Sequence, residues 1–274
     1  MKVLHRVFDF YLDASIHVAL SVFCMLQITG LLFQFTIDPN LSYFLFFGTI
    51  ASYNFIKYGV EAEKYIVLAN RYHKNIQFFS FIALAIATYH AFSLPMRAWE
   101  YIAILVALNG LYALPVLPHT RNLRSFGGIK IFVVSLVWAG ATVQLPMILK
   151  MEALHWDVWM ETAQRFLFVL VLMIPFEIRD LQYDAADLRT LPQRLGATNT
   201  KILGGFLAVL LFVLTYFKDH LSFLDLIGKG ILFLSLNFAM LFTRRKQSKY
   251  YASFWVEALP VGYYISLLIL DYWF

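Results

Sequence analysis

An all-α integral membrane protein is the fold class this chain predicts, on three observations. Hydrophobic residues fill 61% of its 274 positions and charged ones only 14%, whereas a soluble domain holds roughly 45–50% apolar and about 25% charged residues. Mean hydropathy is +0.67. Apolar stretches of about 15–24 residues recur from end to end, close to the ~20 residues that carry a helix across a bilayer. Their even spread excludes a soluble domain with one anchor and predicts a single transmembrane helical domain over 1–274.

Nine helices follow in order, over approximately 14–36, 41–57, 76–94, 98–118, 129–149, 163–179, 201–217, 223–243 and 252–273. Ahead of the first, M-K-V-L-H-R-V-F-D-F-Y-L-D carries acids and aromatics where a signal peptide has a short apolar core, so this segment is expected to be retained. Turn or charge chemistry separates later spans: D-P-N-L-S at 38–42, S-L-P-M-R at 93–97, L-P-H-T-R-N-L-R-S-F-G-G at 117–128 and R-R-K-Q-S-K at 244–249. The second and sixth spans are short. Pro115, Pro146, Pro175 and Pro260 predict kinks, which membrane helices tolerate when neighbours satisfy the freed carbonyl. The lone Cys24 lies in an apolar stretch and permits no intramolecular disulfide.

The net charge of +5 is accounted for by topology. Seventeen of the 22 Lys and Arg fall on one side of the nine spans; Arg97, Lys150, Arg165, Lys218 and Lys229 fall on the other. That bias predicts a cytoplasmic N-terminus and a C-terminus across the membrane. It also gathers cations at the loops between spans 2–3, 4–5, 6–7 and 8–9, where a polyanionic head group would be held. Nucleic acid is not needed to explain the basic balance.

The candidate site lies on that same side. In F-E-I-R-D-L-Q-Y-D-A-A-D (176–187), helical spacing sets Glu177, Asp180, Asp184 and Asp187 within an arc of roughly 80°. Like charges so spaced destabilise a helix unless a cation sits among them, and carboxylate oxygens suit magnesium. A solvated helix face at the membrane surface is the competing explanation. At the end of the second span, Asn54, Lys57, Tyr58 and Glu61 form another polar face whose offsets echo the first, and two such faces can converge on one cavity. Glu257 sits about one and a half turns inside the ninth span, where an ionisable group faces the bundle interior and a partner. Asp9, Asp13 and His17 share a face at the entrance of the first span, suited to capping and anchoring.

I-R-D-L-Q-Y-D (178–184) followed by R-T-L-P-Q-R-L-G (189–196) resembles the second aspartate motif of the UbiA superfamily of intramembrane prenyltransferases. Y-A-L-P-V-L-P (112–118) with its basic loop is similar to that family's segment between the fourth and fifth helices. The resemblance spans nearly the whole chain and implies a bundle of nine helices with a cytoplasm-facing cavity. It further implies magnesium and an isoprenyl diphosphate held by two aspartate-rich motifs, with prenyl transfer to a lipophilic, aromatic acceptor. By the match, Asp180 and Asp184 would be catalytic metal ligands assisted by Glu177, and Arg189 and Tyr112 would contact substrate.

Departures from the pattern are specific. The family's first motif resembles N-x-x-x-D-x-x-x-D; here Asn54 is kept, but Tyr58 and Ala62 stand at the aspartate positions. Leu188 stands about where glycine is usual, and Glu177 where Asn or Asp is common. Glu61 or Glu63 is then a candidate replacement ligand, and Lys57 a catalytic cation for the phosphate. Ionising a C–O bond to diphosphate needs charge stabilisation of the leaving group, and an aromatic cavity shields the allylic cation. The expected function is therefore magnesium-assisted prenyl transfer. Two alternatives are a terpene cyclase of the same fold and a non-catalytic lipid-binding membrane protein that has lost the first motif. A transporter fits less well, because the polar residues cluster at one face instead of the midplane.

Overall fold

The computed structural model describes residues 2–58, 71–113, 128–150, 154–184 and 188–273. Their regular secondary structure is entirely helical. They comprise α1 (Lys2–Asp13), α2 (Ile16–Leu32), α3 (Pro39–Tyr58), α4 (Arg71–Phe92) and α5 (Met96–Ala113), then α6 (Lys130–Lys150), α7 (Trp156–Asp180), α8 (Leu191–Phe217), α9 (Phe223–Phe242) and α10 (Tyr251–Trp273). Six helices among the described residues are long and apolar enough to cross a membrane, seven if the bent pair α1–α2 counts as one. Closing every backbone hydrogen bond within one segment is what lets such stretches sit in hydrocarbon.

The rods pack in a ring. α3 lies against α2 and α4, α6 against α5 and α7, α8 against α7 and α9, and α10 against both α9 and α2. The core runs along this ring through residues such as Met25, Leu26, Phe168, Ile174, Leu236 and Leu267, all buried. Outward positions, among them Phe78, Leu84, Leu241 and Trp255, stay exposed and apolar, as a lipid-facing surface requires. Gly204 is fixed by packing, because a Cβ there would fall 2.8 Å from Met240 Sδ and 2.9 Å from Ile174 Cδ1 where three helices meet.

Local chemistry explains the breaks. Pro39 opens α3, and Asp38 receives the N–H of Asn40 on its side chain at 2.8 Å, giving the D-P-N turn a cap. Thr190 and Gln193 form a capping box at the start of α8, and Ser222 accepts from the N–H of Asp225 at 3.0 Å at the start of α9. Of the prolines expected to kink helices, Pro146 and Pro260 each follow a π-helical turn (Gly140–Gln144 and Tyr251–Val256), whereas Pro175 lies inside continuous α7. The Thr142 carbonyl, four residues before Pro146, is taken up by Thr29 Oγ1 at 2.6 Å. Pro115 lies outside the described residues.

A bend of 58° falls between α1 and α2 at Ser15, whose φ of 59° is left-handed. It leaves backbone groups that Asn54 takes up from the neighbouring helix. Asn54 Nδ2 donates to Ala14 O at 3.1 Å and to Ser80 Oγ at 2.9 Å, while its Oδ1 accepts from Ser15 Oγ at 2.7 Å.

Candidate functional site

Between α3, α4, α5, α6, α7 and α10 lies a cavity of about 930 Å³, near the top of the roughly 300–1,000 Å³ range of small-molecule sites. Phe44, Tyr53, Trp99, Tyr112, Trp138 and Phe176 give it aromatic walls. Its charged groups gather where α3 and α7 end: Lys57, Lys130, Glu177, Arg179 and Asp180, with Asp13, Lys249 and Glu257 beside them. Helical spacing produces the lining directly. Tyr53 and Lys57 are one turn apart on α3, Asn109 and Tyr112 on α5, Met173, Glu177 and Asp180 on α7, and Ser253, Glu257 and Pro260 on α10.

A lysine from the next rod answers the acidic stripe. Lys130 Nζ lies 2.6 Å from Glu177 Oε1 and 3.9 Å from Asp184 Oδ2, so a cation does sit among the like charges. Arg179 Nε pairs with Asp180 Oδ1 at 2.8 Å, and its guanidinium lies 5.2 Å from the centre of the Phe176 ring. Lys249 Nζ reaches Asp9 Oδ1 at 2.7 Å. That hydrogen bond, with the charge of Asp9, holds the Lys249 ammonium above its ordinary pKa. Lys57 makes no ion pair among the described residues; its Nζ donates to Leu12 O at 3.3 Å.

Of the residues singled out by sequence, Lys57, Tyr112, Glu177 and Asp180 meet at the cavity. Asp184 sits one turn beyond, its N–H donating to Asp180 O at 2.9 Å and its side chain sharing Lys130. Three others lie elsewhere. Asn54 is engaged at the Ser15 break, Tyr58 donates its hydroxyl to Asp13 O at 3.1 Å, and Arg189 is exposed with a φ of 52°. Glu61, Glu63 and Asp187 fall outside the described residues. Lys130 and Arg179 were legible only as topological charge. The apolar run beginning at Lys130, on the acidic side of the bundle, is the signal that places its ammonium there.

Among the described residues no three His, Cys, Asp or Glu side chains come together as a metal cage would need. Two buried carboxylate oxygens, Glu177 Oε2 and Asp184 Oδ2, nevertheless lack a hydrogen-bond partner. That is enough for a magnesium ion that draws its other ligands from phosphate and water.

No family model matches the chain, and no curated protein and no solved structure matches it. Chemistry must therefore be read from the site itself. Cations and carboxylates at the mouth of a large aromatic cavity suit an amphiphile with an anionic head and an apolar tail.

A second charged cluster escaped the sequence reading. Arg165, Lys218 and Lys229 were expected at a far-side membrane surface; instead they are buried with Glu161 and Asp225. Glu161 Oε1 accepts from Arg165 at 3.1 Å and Lys229 at 2.9 Å, and its Oε2 from Lys218 at 2.9 Å and Lys229 at 2.8 Å. Asp225 Oδ2 accepts from Lys218 at 2.5 Å. Arg165 also donates to Met25 O and Thr142 Oγ1 at 2.5 and 3.1 Å, tying α7 to α2 and α6. Charge buried in a membrane bundle must be paired, and two of the five ion pairs here, Glu161–Arg165 and Asp225–Lys229, have the i, i+4 spacing that betrays them.

Proposed function

We propose that this chain is a UbiA-like intramembrane prenyltransferase with nine membrane-spanning helices, a cytoplasmic N-terminus and a site open to the cytoplasmic side. One observation carries the reading: the polar ends of α3 and α7, expected to converge, both line the head-group end of one aromatic cavity. Six helices of the described residues, or seven with the bent pair α1–α2 counted as one, are long and apolar enough to cross a membrane; α3 and α5 are counted as the remaining two spans of the proposal. Lys57, Arg179 and Lys130 supply cations for a diphosphate, Asp180 holds Arg179 in place, and Tyr53, Trp138 and Tyr112 wall the prenyl chain. Glu177 and Asp184, through their open oxygens, would hold magnesium, which supplies further neutralisation of the leaving diphosphate. The acceptor is lipophilic and enters from surrounding membrane lipid.

Loss of the C–O bond leaves charge on diphosphate that these groups stabilise, while the aromatic walls exclude water from the allylic cation. The test is purified protein with magnesium and labelled prenyl diphosphates of several lengths, following diphosphate release. Binding is titrated in parallel for wild type, Lys57→Ala, Asp180→Ala and Lys249→Ala. Release, together with weaker binding in the first two variants, supports transfer. A second reading, a non-catalytic lipid-binding protein, is favoured by Lys130, which already neutralises Glu177. Tight prenyl diphosphate binding without release would establish it, and release without any acceptor, giving a cyclic product, would identify a cyclase.

A further inference from the structure

Glu257 lines the cavity yet has no part in the phosphate-facing cluster of cations. It comes directly after the π turn Tyr251–Val256, and its own N–H donates to Ala252 O at 3.2 Å. Such an i to i−5 bond inserts one residue into the helix and rotates the remainder of α10 by about 100° relative to an uninterrupted α-helix. Neighbours pin the turn from outside: His17 Nε2 donates to Phe254 O at 3.0 Å, Tyr11 donates to His17 Nδ1 at 2.7 Å, and Ser21 Oγ donates to the Glu257 carbonyl. The carboxylate so aimed makes no hydrogen bond and no ion pair among the described residues. Lys57 and Arg179 are the cations whose charge it feels, and the Tyr53 hydroxyl, held by Trp138 Nε1 at 2.9 Å, lines the same cavity.

We propose that Glu257 is the proton acceptor of the transfer reaction and thereby selects an acceptor bearing a hydroxyl at its reacting end, a phenol; the inference rests on the prenyltransferase reading. When the C–O bond to diphosphate breaks, its electron pair leaves with the diphosphate toward Lys57 and Arg179. The phenol oxygen forms the new O–C bond to the allylic carbon as its O–H bond breaks, and the proton passes to the Glu257 carboxylate, so that the product is an aryl prenyl ether. That proton then returns to water or diphosphate at the mouth. A carboxylate with no protein partner, facing an apolar cavity, is suited to this because a substrate hydroxyl is the hydrogen-bond donor it lacks.

The test uses the full chain in lipid vesicles with labelled farnesyl diphosphate, 4-alkylphenols and the matching methyl ethers. Wild type is expected to prenylate the phenols and not the ethers. Glu257→Gln should transfer at least about 100-fold more slowly, the scale of losing a general base, while affinity for farnesyl thiodiphosphate stays within about threefold. Glu257→Asp should recover part of the transfer. Three results would overturn the inference: ethers used as readily as phenols, Glu257→Gln transferring within about threefold of wild type, or Glu257→Gln losing thiodiphosphate affinity in step with transfer. The last would make Glu257 a counter-charge for Lys57. Diphosphate release by wild type without phenol transfer overturns this inference alone. No release at all overturns the prenyltransferase reading and this inference with it.

Discussion

α7 carries charge at both ends and the two ends use it differently. Near its start, Glu161 and Arg165 close with Lys218, Asp225 and Lys229 into a cluster buried on every side. About 24 Å further along the same helix, at 1.5 Å per residue, Glu177, Arg179 and Asp180 stand at a cavity. In the first cluster every charged side chain has a charged partner within the protein. In the second, Lys57 and Glu257 have none among the described residues, and Glu177 keeps an unbonded oxygen. Buried and mutually satisfied charge holds helices in register; charge left facing a cavity is available to a ligand.

Glu161→Gln should break this contrast most severely if it is wrong. It removes the counter-charge of three buried cations and is expected to cost about 3–5 kcal/mol of stability. Asp180→Asn, whose side chain is 30% exposed, should cost under about 1 kcal/mol. Thermal unfolding in detergent compares them, and equal losses would erase the distinction between the two ends. Asn54→Ala comes next, at about 1–3 kcal/mol, because it strands the buried groups of the Ser15 break. Its affinity for prenyl diphosphate should stay at the wild-type value. A tenfold loss of affinity would return Asn54 to the substrate site.

The buried end should also show itself at alkaline pH. Burial opposes the charge of Lys218, but Glu161 and Asp225 more than offset it and hold the ammonium above the ordinary lysine value. A group whose folded pKa is raised stabilises fully below its unfolded value, ~10.4 for lysine, and loses that contribution as pH climbs through the folded one. The unfolding midpoint should therefore fall above about pH 10 in wild type and fall less steeply in Lys218→Met. A midpoint with the same pH dependence in both proteins would remove Lys218 from the cluster. The smallest expected effect is at the cavity mouth, where Lys249 is 63% exposed. Lys249→Ala should cost about 0–1 kcal/mol.

Several helices were legible because each is a long apolar run with a chemical stop. Observed helices at 39–58, 130–150, 223–242 and 251–273 differ from expectation by one or two residues. The sixth was expected from 163 but begins at Trp156, because Asp157, Glu161 and Arg165 read as surface charge until their partners on α9 and the preceding loop are known. Helical spacing singled out Lys57, Glu177 and Asp180, and all three line one cavity. It missed the cation that pairs with Glu177, since Lys130 comes from another rod and pairing between rods leaves no periodic trace. Asn54 misled for a related reason: its backbone partner at Ala14 exists only because Ser15 turns left-handed.

That left-handed residue ties two equilibria together. By tilting α1 over the bundle it brings Leu12 and Asp13 to the edge of the cavity, where the Leu12 carbonyl takes the ammonium of Lys57. An anion arriving at Lys57 competes with the end of a helix for the same proton donors. Docking of α1 and occupancy of the site are therefore thermodynamically linked, and linkage is reciprocal. Whatever loosens α1 from Lys57 frees the ammonium for a ligand, and whatever ligand captures the ammonium loosens α1.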